Sequence, residues 1–336
     1  DVYNGTVEDF HNFFIAVNDK QVVNTLNCGE QPLAAYASCI LSHRNLTAYV
    51  LNPWTADASF DFETFYKDTY DCAVIMDDLV QLEIEAVQRI IAKVESDKES
   101  FDIKKTELDL WHKVYDKLTN TRRYGMGFLA LGDAMAMLGL RYGSQESIDF
   151  AVTMQQWLVK ATYEASIDLA KIRGSFAIFD YDTDVQSKFI QRMLSELIDD
   201  EHIKTYQQFG RRNINTTTIA PTGTTALMTQ TTSGIEPVFM PLHKRRRKPT
   251  AVDNEADINF IDETTGDKFI EYAVVHYPLM QWICKRVQLG DGKFTLVKDT
   301  GIEWSEAEMS RIKSWLSNAP QAVIDELLVQ SPYYKA

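Results

Sequence analysis

Apolar positions along the chain follow two rhythms. Phe62, Phe65, Thr69, Ala73, Met76, Val80, Val87, Ile90, Ile91 and Val94 recur at helical spacing and predict one long amphipathic helix. Asp97 to Ser100 breaks the pattern, and Leu108, Trp111, Val114, Tyr115 and Leu118 place a second helix after it. Ser144 is a good N-cap and Gly174 a good C-cap for a helix running to about Arg173. Further helical patterns cover 183–199, 269–287 and 305–318. The rhythm changes at Ile214 to Ala220, a β-branched run that predicts a buried strand, and Val238-Phe239-Met240 predicts a short one. Residues 1–24 follow no clear pattern. Residues 25–50 read as loop leading into an apolar segment, Leu46 to Leu51, closed by Asn52-Pro53. The Gly-, Ala- and Met-rich stretch 124–143 calls for closely packed backbones.

Composition narrows the class. The 336 residues are 45% hydrophobic and 24% charged, enough to bury a large core. The net charge of −14 argues against coating a nucleic acid, which needs clustered Lys and Arg. The run Lys244-Arg245-Arg246-Arg247-Lys248 is the one dense cationic cluster and reads as a solvated loop or turn. No run of about 18 apolar residues marks a membrane span. The start DVYNGTVEDF has neither a basic segment nor an apolar core, so a cytoplasmic protein is expected. Asp1 in place of a Met reads as a trimmed or partial chain. Four cysteines, Cys28, Cys39, Cys72 and Cys284, are too sparse for a disulfide scaffold, and none has zinc spacing; no metal ligand is expected.

Two segments carry candidate chemistry. In Cys28-Gly29-Glu30 a thiol and a carboxylate two positions apart can face one substrate, the thiol as nucleophile or radical carrier and the carboxylate as general base. Cys39 follows eleven residues after Cys28 and can join a redox pair. The second segment is TIAPTGTTALM at 218–228, where Pro221, Thr222, Gly223, Thr224 and Thr225 separate a strand from a helix expected near Ala226. Free backbone N–H groups and hydroxyls there would meet an anion, although no Walker lysine follows.

Four blocks together resemble the catalytic subunit of ribonucleotide reductases: TLNCGEQPLAAYASCILSHRNLTAYV at 25–50, TRRYGMGFLALGDAMAMLGLRYGS at 121–144, FGRRNINTTTIAPTGTTALMTQTTSGIEPVF at 209–239 and SPYYKA at 331–336. Their order and spacing are those of the family, and the adenosylcobalamin-dependent kind is the most similar. The resemblance implies a helix-rich α/β fold, part of a ten-stranded α/β barrel with a central finger loop. It implies one incomplete catalytic domain over 1–336. Residues 1–21 match nothing, 22–51 form the finger loop and a strand, and 52–336 form helices and the second half-barrel with a phosphate loop. It further implies thiyl-radical reduction of ribonucleotides to deoxyribonucleotides. Cys28 matches the thiyl cysteine, Glu30 the general base and Cys39 one of the reducing cysteines that become a disulfide. Residues 221–225 match the loop that binds the substrate phosphates. Adenosylcobalamin is the implied radical source, with a ribonucleoside di- or triphosphate and a thioredoxin-like reductant as partners, and complementing reductase segments or a homodimer as further ones.

The chain departs from that pattern in places. The family carries Asn-Pro before the thiyl cysteine, where this chain has Leu26-Asn27, so Asn27 takes the ribose one position late. No upstream cysteine partners Cys39, which leads to the expectation that the isolated chain is inactive. Two alternatives stand beside the main reading. One is a metal-dependent reductase whose radical comes from a separate subunit. The other is a non-catalytic relic or interaction module of the same fold.

Overall fold

The computed structural model describes residues 12–18, 21–26, 30–31, 33–255 and 258–335. The chain divides into two compact units.

The first unit comprises Asp1–Tyr49, Asp61–Leu129 and Asp149–Thr222. It opens with an antiparallel hairpin of β1 (Asn12–Asn18) and β2 (Gln21–Leu26), in the stretch whose sequence shows no clear pattern. Strand β3 (Ile40–Asn45) leads into a 3-10 turn at Leu46–Tyr49. The short strands β4 (Val50–Leu51) and β5 (Ser59–Phe60) belong to the other unit. Helix α1 (Phe62–Ser96) is the long helix that the spacing predicts, capped by Asp61, which accepts from the Thr64 N–H. Eight of the ten expected core positions are buried, and Asp77 and Ile84 share that face. Helix α2 (Phe101–Thr121) packs on α1 through the expected stripe, of which Leu118 alone is fully buried.

Strand β6 (Tyr124–Leu129) is buried at every residue and runs parallel to β3, with Ile40 opposite Tyr124 and Asn45 opposite Leu129. On its other edge lies the segment expected as a strand over 214–220. It is extended but irregular. The Tyr124 and Met126 N–H groups donate to the carbonyls of Asn215 and Thr216, and the Thr218 N–H to that of Met126. One bridge, Met126 to Thr217, results.

Helix α3 (Leu131–Leu138) belongs to the second unit. Helix α4 (Gln145–Arg173) starts where Ser144 Oγ accepts the Ser147 N–H, and ends at Gly174 with φ of 80°. The helix expected over 183–199 is two pieces, α5 (Tyr181–Asp184) and α6 (Lys188–Glu196), followed by α7 (Asp200–Phe209). Capping fixes where the first piece and α7 begin. The Asp180 side chain accepts the Thr183 N–H, and that of Asp199 accepts the N–H groups of Glu201 and His202, so each aspartate starts a helix of its own.

The second unit comprises Val50–Phe60, Ala130–Ile148 and Gly223–Ala336. Helix α8 (Gly223–Thr229) opens its last stretch. Residues 238–240 form no strand; their backbone lies in an irregular stretch. The basic run is not a loop. All of it but Lys248 lies in β7 (Leu242–Arg247), which pairs with β9 (Lys268–Val275), and β9 pairs with β8 (Phe260–Ile261). The expected helix over 269–287 is therefore half strand. Phe269, Ile270, Tyr272, Val274 and Val275 favour the pleated ladder, and α9 (Tyr277–Arg286) starts only where Pro278 can occupy a first turn. Strands β10 (Val287–Gly290) and β11 (Lys293–Leu296) make a hairpin. Helix α10 (Glu306–Asn318), capped by Ser305 as its expected range requires, is followed by α11 (Gln321–Gln330) and α12 (Pro332–Lys335). Leu279, Ile283, Cys284, Ile312, Leu316 and Leu327 centre the core of this unit.

The described residues thus form a helix-rich α/β protein in which β3 and β6 are the paired parallel strands. They do not close a barrel: the sheets have two or three strands each. No described helix is long and apolar enough to cross a membrane.

Candidate functional site

The β3–β6 ladder organises the candidate site. Its backbones approach because β6 carries glycine at alternate positions. A Cβ on Gly125 would stand 2.8 Å from Leu41 Cδ2, 2.9 Å from Thr218 Cβ and 3.0 Å from Gln31 Nε2. A Cβ on Gly127 would meet the Thr218 carbonyl at 2.7 Å and His43 Cδ2 at 3.0 Å. Any side chain at either position would push the 215–218 segment off the strand.

Asn27, Cys28 and Pro32 lie outside the described residues, so the structure describes the end of the Cys28-Gly29-Glu30 motif and not its thiol. That end is firmly held. Thr218 Oγ1 donates to the Glu30 carbonyl. Gln31 Nε2 donates to the carbonyls of Tyr124 at 2.9 Å and Thr217 at 3.0 Å, bridging β6 and the irregular segment beside it.

Cys39 sits half-buried at the start of β3, its Sγ 3.6 Å from the Ile40 carbonyl. Burial pushes its thiol up to about 11; Arg123 opposes this, and Glu30 and Glu83 add to it. Cys39 and Glu30 therefore lie in one electrostatic neighbourhood. Glu83 reaches it from α1, where Oε1 accepts from Ser38 Oγ at 3.0 Å while Oε2 is buried without a hydrogen-bond partner. Arg123 Nε is likewise buried without one, and burial lowers the pKa of that guanidinium.

The other described cysteines stand apart. Cys72 on α1 lies 3.1 Å from Arg44 Nη2 and 3.5 Å from Ser42 Oγ. Cys284 is buried in the core of the second unit. Cys39, Cys72 and Cys284 are all free thiols.

The expected anion loop is shifted. Helix α8 begins at Gly223 rather than near Ala226, so Gly223, Thr224 and Thr225 form its first turn. Their backbone N–H groups are the unsatisfied donors of a helix start. Pro221, Gly223, Thr224 and Thr225 are exposed, and Thr222, half-buried, has a left-handed φ of 54°. A β-branched residue resists that conformation.

Sequence spacing concealed three features. Gln31 is the pin of the motif, and Glu83 and Arg123 flank Cys39; each contact joins residues far apart in the chain. The third is a grouping of Glu164, Asp199 and His202, whose ligand atoms lie within 4.8 Å of one another. Lys160 Nζ stands 3.4 Å from Glu164 Oε1 and the Tyr66 hydroxyl donates to Oε2, so this cluster reads as an ion-pair network.

Comparison with known proteins agrees with this architecture. The family model described as ribonucleotide reductase, barrel domain, matches residues 4–271, and the chain belongs to that family. It is 28% identical over 212 residues to the vitamin B12-dependent ribonucleoside-diphosphate reductase of Mycobacterium tuberculosis, covering 63% of this chain and 23% of the relative. The protein of the same name from Thermoplasma acidophilum is 26% identical over 223 residues, 66% of this chain and 23% of the relative. The ribonucleoside-diphosphate reductase subunit alpha of Chlamydia pneumoniae is 28% identical over 135 residues, 13% of its length. The chain thus spans about a quarter of the B12-dependent relatives it matches.

Proposed function

We propose that this chain carries the thiyl-radical centre of a ribonucleotide reductase and takes part in reducing ribonucleotides to 2′-deoxyribonucleotides. The observation that carries the reading is the placement of Glu30 and Cys39 in one neighbourhood beside β6, with the Glu30 backbone and the Gln31 side chain pinned to the chain at 217–218. Holding the backbone at Glu30 fixes the point from which its side chain departs, which a catalytic carboxylate requires. In this reading Cys28 carries the radical and removes the 3′ hydrogen of the ribose, and Glu30 accepts the 3′-hydroxyl proton. Asn27 binds the sugar, and Pro221, Thr222, Gly223, Thr224 and Thr225 hold its phosphates. The 2′-hydroxyl leaves as water, and two thiols, one of them Cys39, give up two electrons and two protons and become a disulfide. A thiol kept protonated, as burial keeps Cys39, suits a group that must deliver hydrogen.

The ten-stranded barrel with its finger loop, the cytoplasmic location, the di- or triphosphate substrate and the thioredoxin-like reductant belong to the same proposal. So does adenosylcobalamin as the radical source, on the strength of the relatives' names. Three cavities walled by described residues, of about 290, 330 and 350 Å³, are each smaller than a corrinoid, so none of these three would hold it.

The test is an assay of the chain with cytidine and adenosine nucleotides, adenosylcobalamin and dithiothreitol. Deoxynucleotide is expected from the protein supplied with whatever complementing segments it needs, and none from Cys28→Ser, whose alcohol cannot exchange a hydrogen atom as a thiol does. Product from a folded Cys28→Ser variant would reject the thiyl role.

A further inference from the structure

In the β3–β6 ladder Ile40 lies opposite Tyr124 and Leu41 opposite Gly125. Cys39 and Arg123 stand immediately before the first of these pairs, on strands that run about 4.8 Å apart. The register therefore brings a thiol and a guanidinium together at the start of the ladder. Arg123 differs from the arginines around it. Arg122 is held by Asp77 at 3.0 Å, Arg212 by Asp77 at 3.3 Å and Arg211 by Asp184 at 2.6 Å. Arg123 pairs with no carboxylate of the described residues, and its Nε is buried without a hydrogen-bond partner. An ionised Cys39 is the strongest attraction on its guanidinium, ahead of Tyr163, while Arg211 repels it. A half-buried cation with no counter-ion has its charge available to whatever anion forms beside it.

Cys39 becomes that anion once in each cycle of the proposed reaction; the inference rests on the reading of Cys39 as a reducing cysteine. While it delivers hydrogen the sulfur must be protonated, and burial keeps it so. Its restoration calls for the opposite. A thiolate of a dithiol reductant attacks the partner sulfur of the Cys39 disulfide. A new S–S bond forms, the old one breaks, and Cys39 departs as a thiolate with the bonding electron pair, then takes a proton from water. The second reductant thiol displaces the partner sulfur and closes the reductant's own disulfide, so two electrons pass to the protein. We propose that Arg123 is a positioning residue for this step, its guanidinium holding and stabilising the Cys39 thiolate as the sulfur is released. Without it, the burial that protects the thiol makes it a poor leaving group, because less acidic thiols leave more slowly.

Other charges bear on the same sulfur. Glu30 and Glu83 both disfavour its thiolate, and Arg123 opposes them. Glu83 comes from α1, where its Oε1 accepts from Ser38 Oγ, the residue next to Cys39, at 3.0 Å. Arg44 of β3 is engaged with Cys72 at 3.1 Å. The Arg123 charge is thus set against two carboxylates and a water-poor surrounding, and its removal should be felt at Cys39.

The step can be measured without nucleotide or radical. The reduced full chain is treated with hydroxyethyl disulfide, so that Cys39 carries a mixed disulfide with 2-mercaptoethanol, a cap that brings no charge of its own. Dithiothreitol then removes the cap at one mildly alkaline pH, and mass spectrometry of the Cys39 peptide follows the rate. The outer sulfur is the accessible one, so attack falls there and Cys39 is the leaving group. Arg123→Gln should slow the release about threefold or more. Arg123→Met, a second neutral replacement, should do the same and answers the question if the glutamine variant does not fold. Arg123→Lys, which keeps the charge, should restore most of the wild-type rate, and release from Cys72 should be unchanged throughout. A merely structural role predicts the opposite sign, since loosening the start of the ladder exposes Cys39 and hastens release. Release at the wild-type rate or faster in a folded neutral variant, a lysine variant as slow as the glutamine one, or equal slowing at Cys72 would overturn the proposal. Because nucleotide reduction is not read, that result would leave the Cys28→Ser test of the proposed function standing by itself, and failure of that test would leave these rates untouched.

Discussion

Asp77 on α1 and Arg246 on β7 both sit among ion pairs, and they differ in nearly everything else. Asp77 is fully buried. Its carboxylate meets Arg122 Nε at 3.0 Å, Arg173 Nη1 at 3.0 Å, Arg212 Nε at 3.3 Å and Asn213 Nδ2 at 3.0 Å. Arg246 has a side chain 48% exposed, with Glu271 at 2.9 Å and its guanidinium 3.4 Å from the centre of the Phe260 ring. The first charge, on α1, is surrounded by partners that converge from the entry to β6, the end of α4 and the stretch before 215–218. The second lies on a strand surface beside water. A buried charge with four partners fixes the relative positions of chain segments, whereas an exposed pair only decorates a ladder that backbone hydrogen bonds already hold.

Removing the hub should therefore have the largest effect. Asp77→Ala leaves Arg122 and Arg212 buried without their counter-charge, and breaking a buried pair in this way costs about 3–5 kcal/mol. A urea titration should show this as a lower midpoint, and a loss under about 1 kcal/mol would mean that the hub is no more than a surface pair. The pH sign follows from the depressed carboxyl. Burial pushes the Asp77 group up, but the guanidinium groups of Arg122 and Arg212 and the Asn213 amide outweigh it and hold it low. Its contribution is present above the unfolded carboxylate value near about 4 and is lost as pH falls through the lower folded value.

An intermediate case sharpens the contrast. His202 lies 2.8 Å from Asp199, 3.4 Å from Asp168 and 3.7 Å from Glu164, with its side chain 21% exposed. Burial pulls its pKa down, yet the three carboxylates outweigh it and raise it. The stabilisation is complete below the unfolded imidazole value and is lost as pH rises through the folded one. The urea midpoint should thus fall between about pH 6 and 8 in the wild type and change less in His202→Gln. Equal slopes in the two proteins would remove His202 from the account.

The same contrast explains what the sequence disclosed. Helix α1 was legible because a 35-residue helix repeats its apolar face many times over, so a few polar members do not hide the period. Asp77 itself was invisible in that stripe: it interrupts an apolar face with a charge, and its partners come from up to 136 positions away. Short elements failed for a related reason. Lys244 to Lys248 reads as solvated loop from charge alone, yet Arg246 stands directly opposite Glu271 in the ladder, and cross-strand pairing is a tertiary fact. Over 269–287 a strand and a helix are joined without a break, and their two periods blur into one apparent helix. At the candidate site, residue types pointed to Glu30, Cys39 and the 221–225 turn. The pinning by Gln31 and Thr218 depends on non-local contacts that no local pattern announces.

The smallest effect is expected at Arg246. Its pair with Glu271 is exposed, its long side chain loses rotamer freedom on pairing, and salt screens what attraction remains. The Phe260 face adds a cation–π contact, worth about 0.5–1 kcal/mol at an exposed site. A double-mutant cycle with Arg246→Ala and Glu271→Gln should give a coupling of about 0.2–1 kcal/mol that shrinks between low and high salt, whereas the Asp77 effect should hardly depend on salt. Phe260→Leu separates the two contributions at Arg246, since it keeps an apolar neighbour and removes the ring. If the cycle returned a coupling as large as the loss at Asp77, or one insensitive to salt, exposure would not be what divides these two regions, and the basic strand would have to be regarded as a second organising element of the fold.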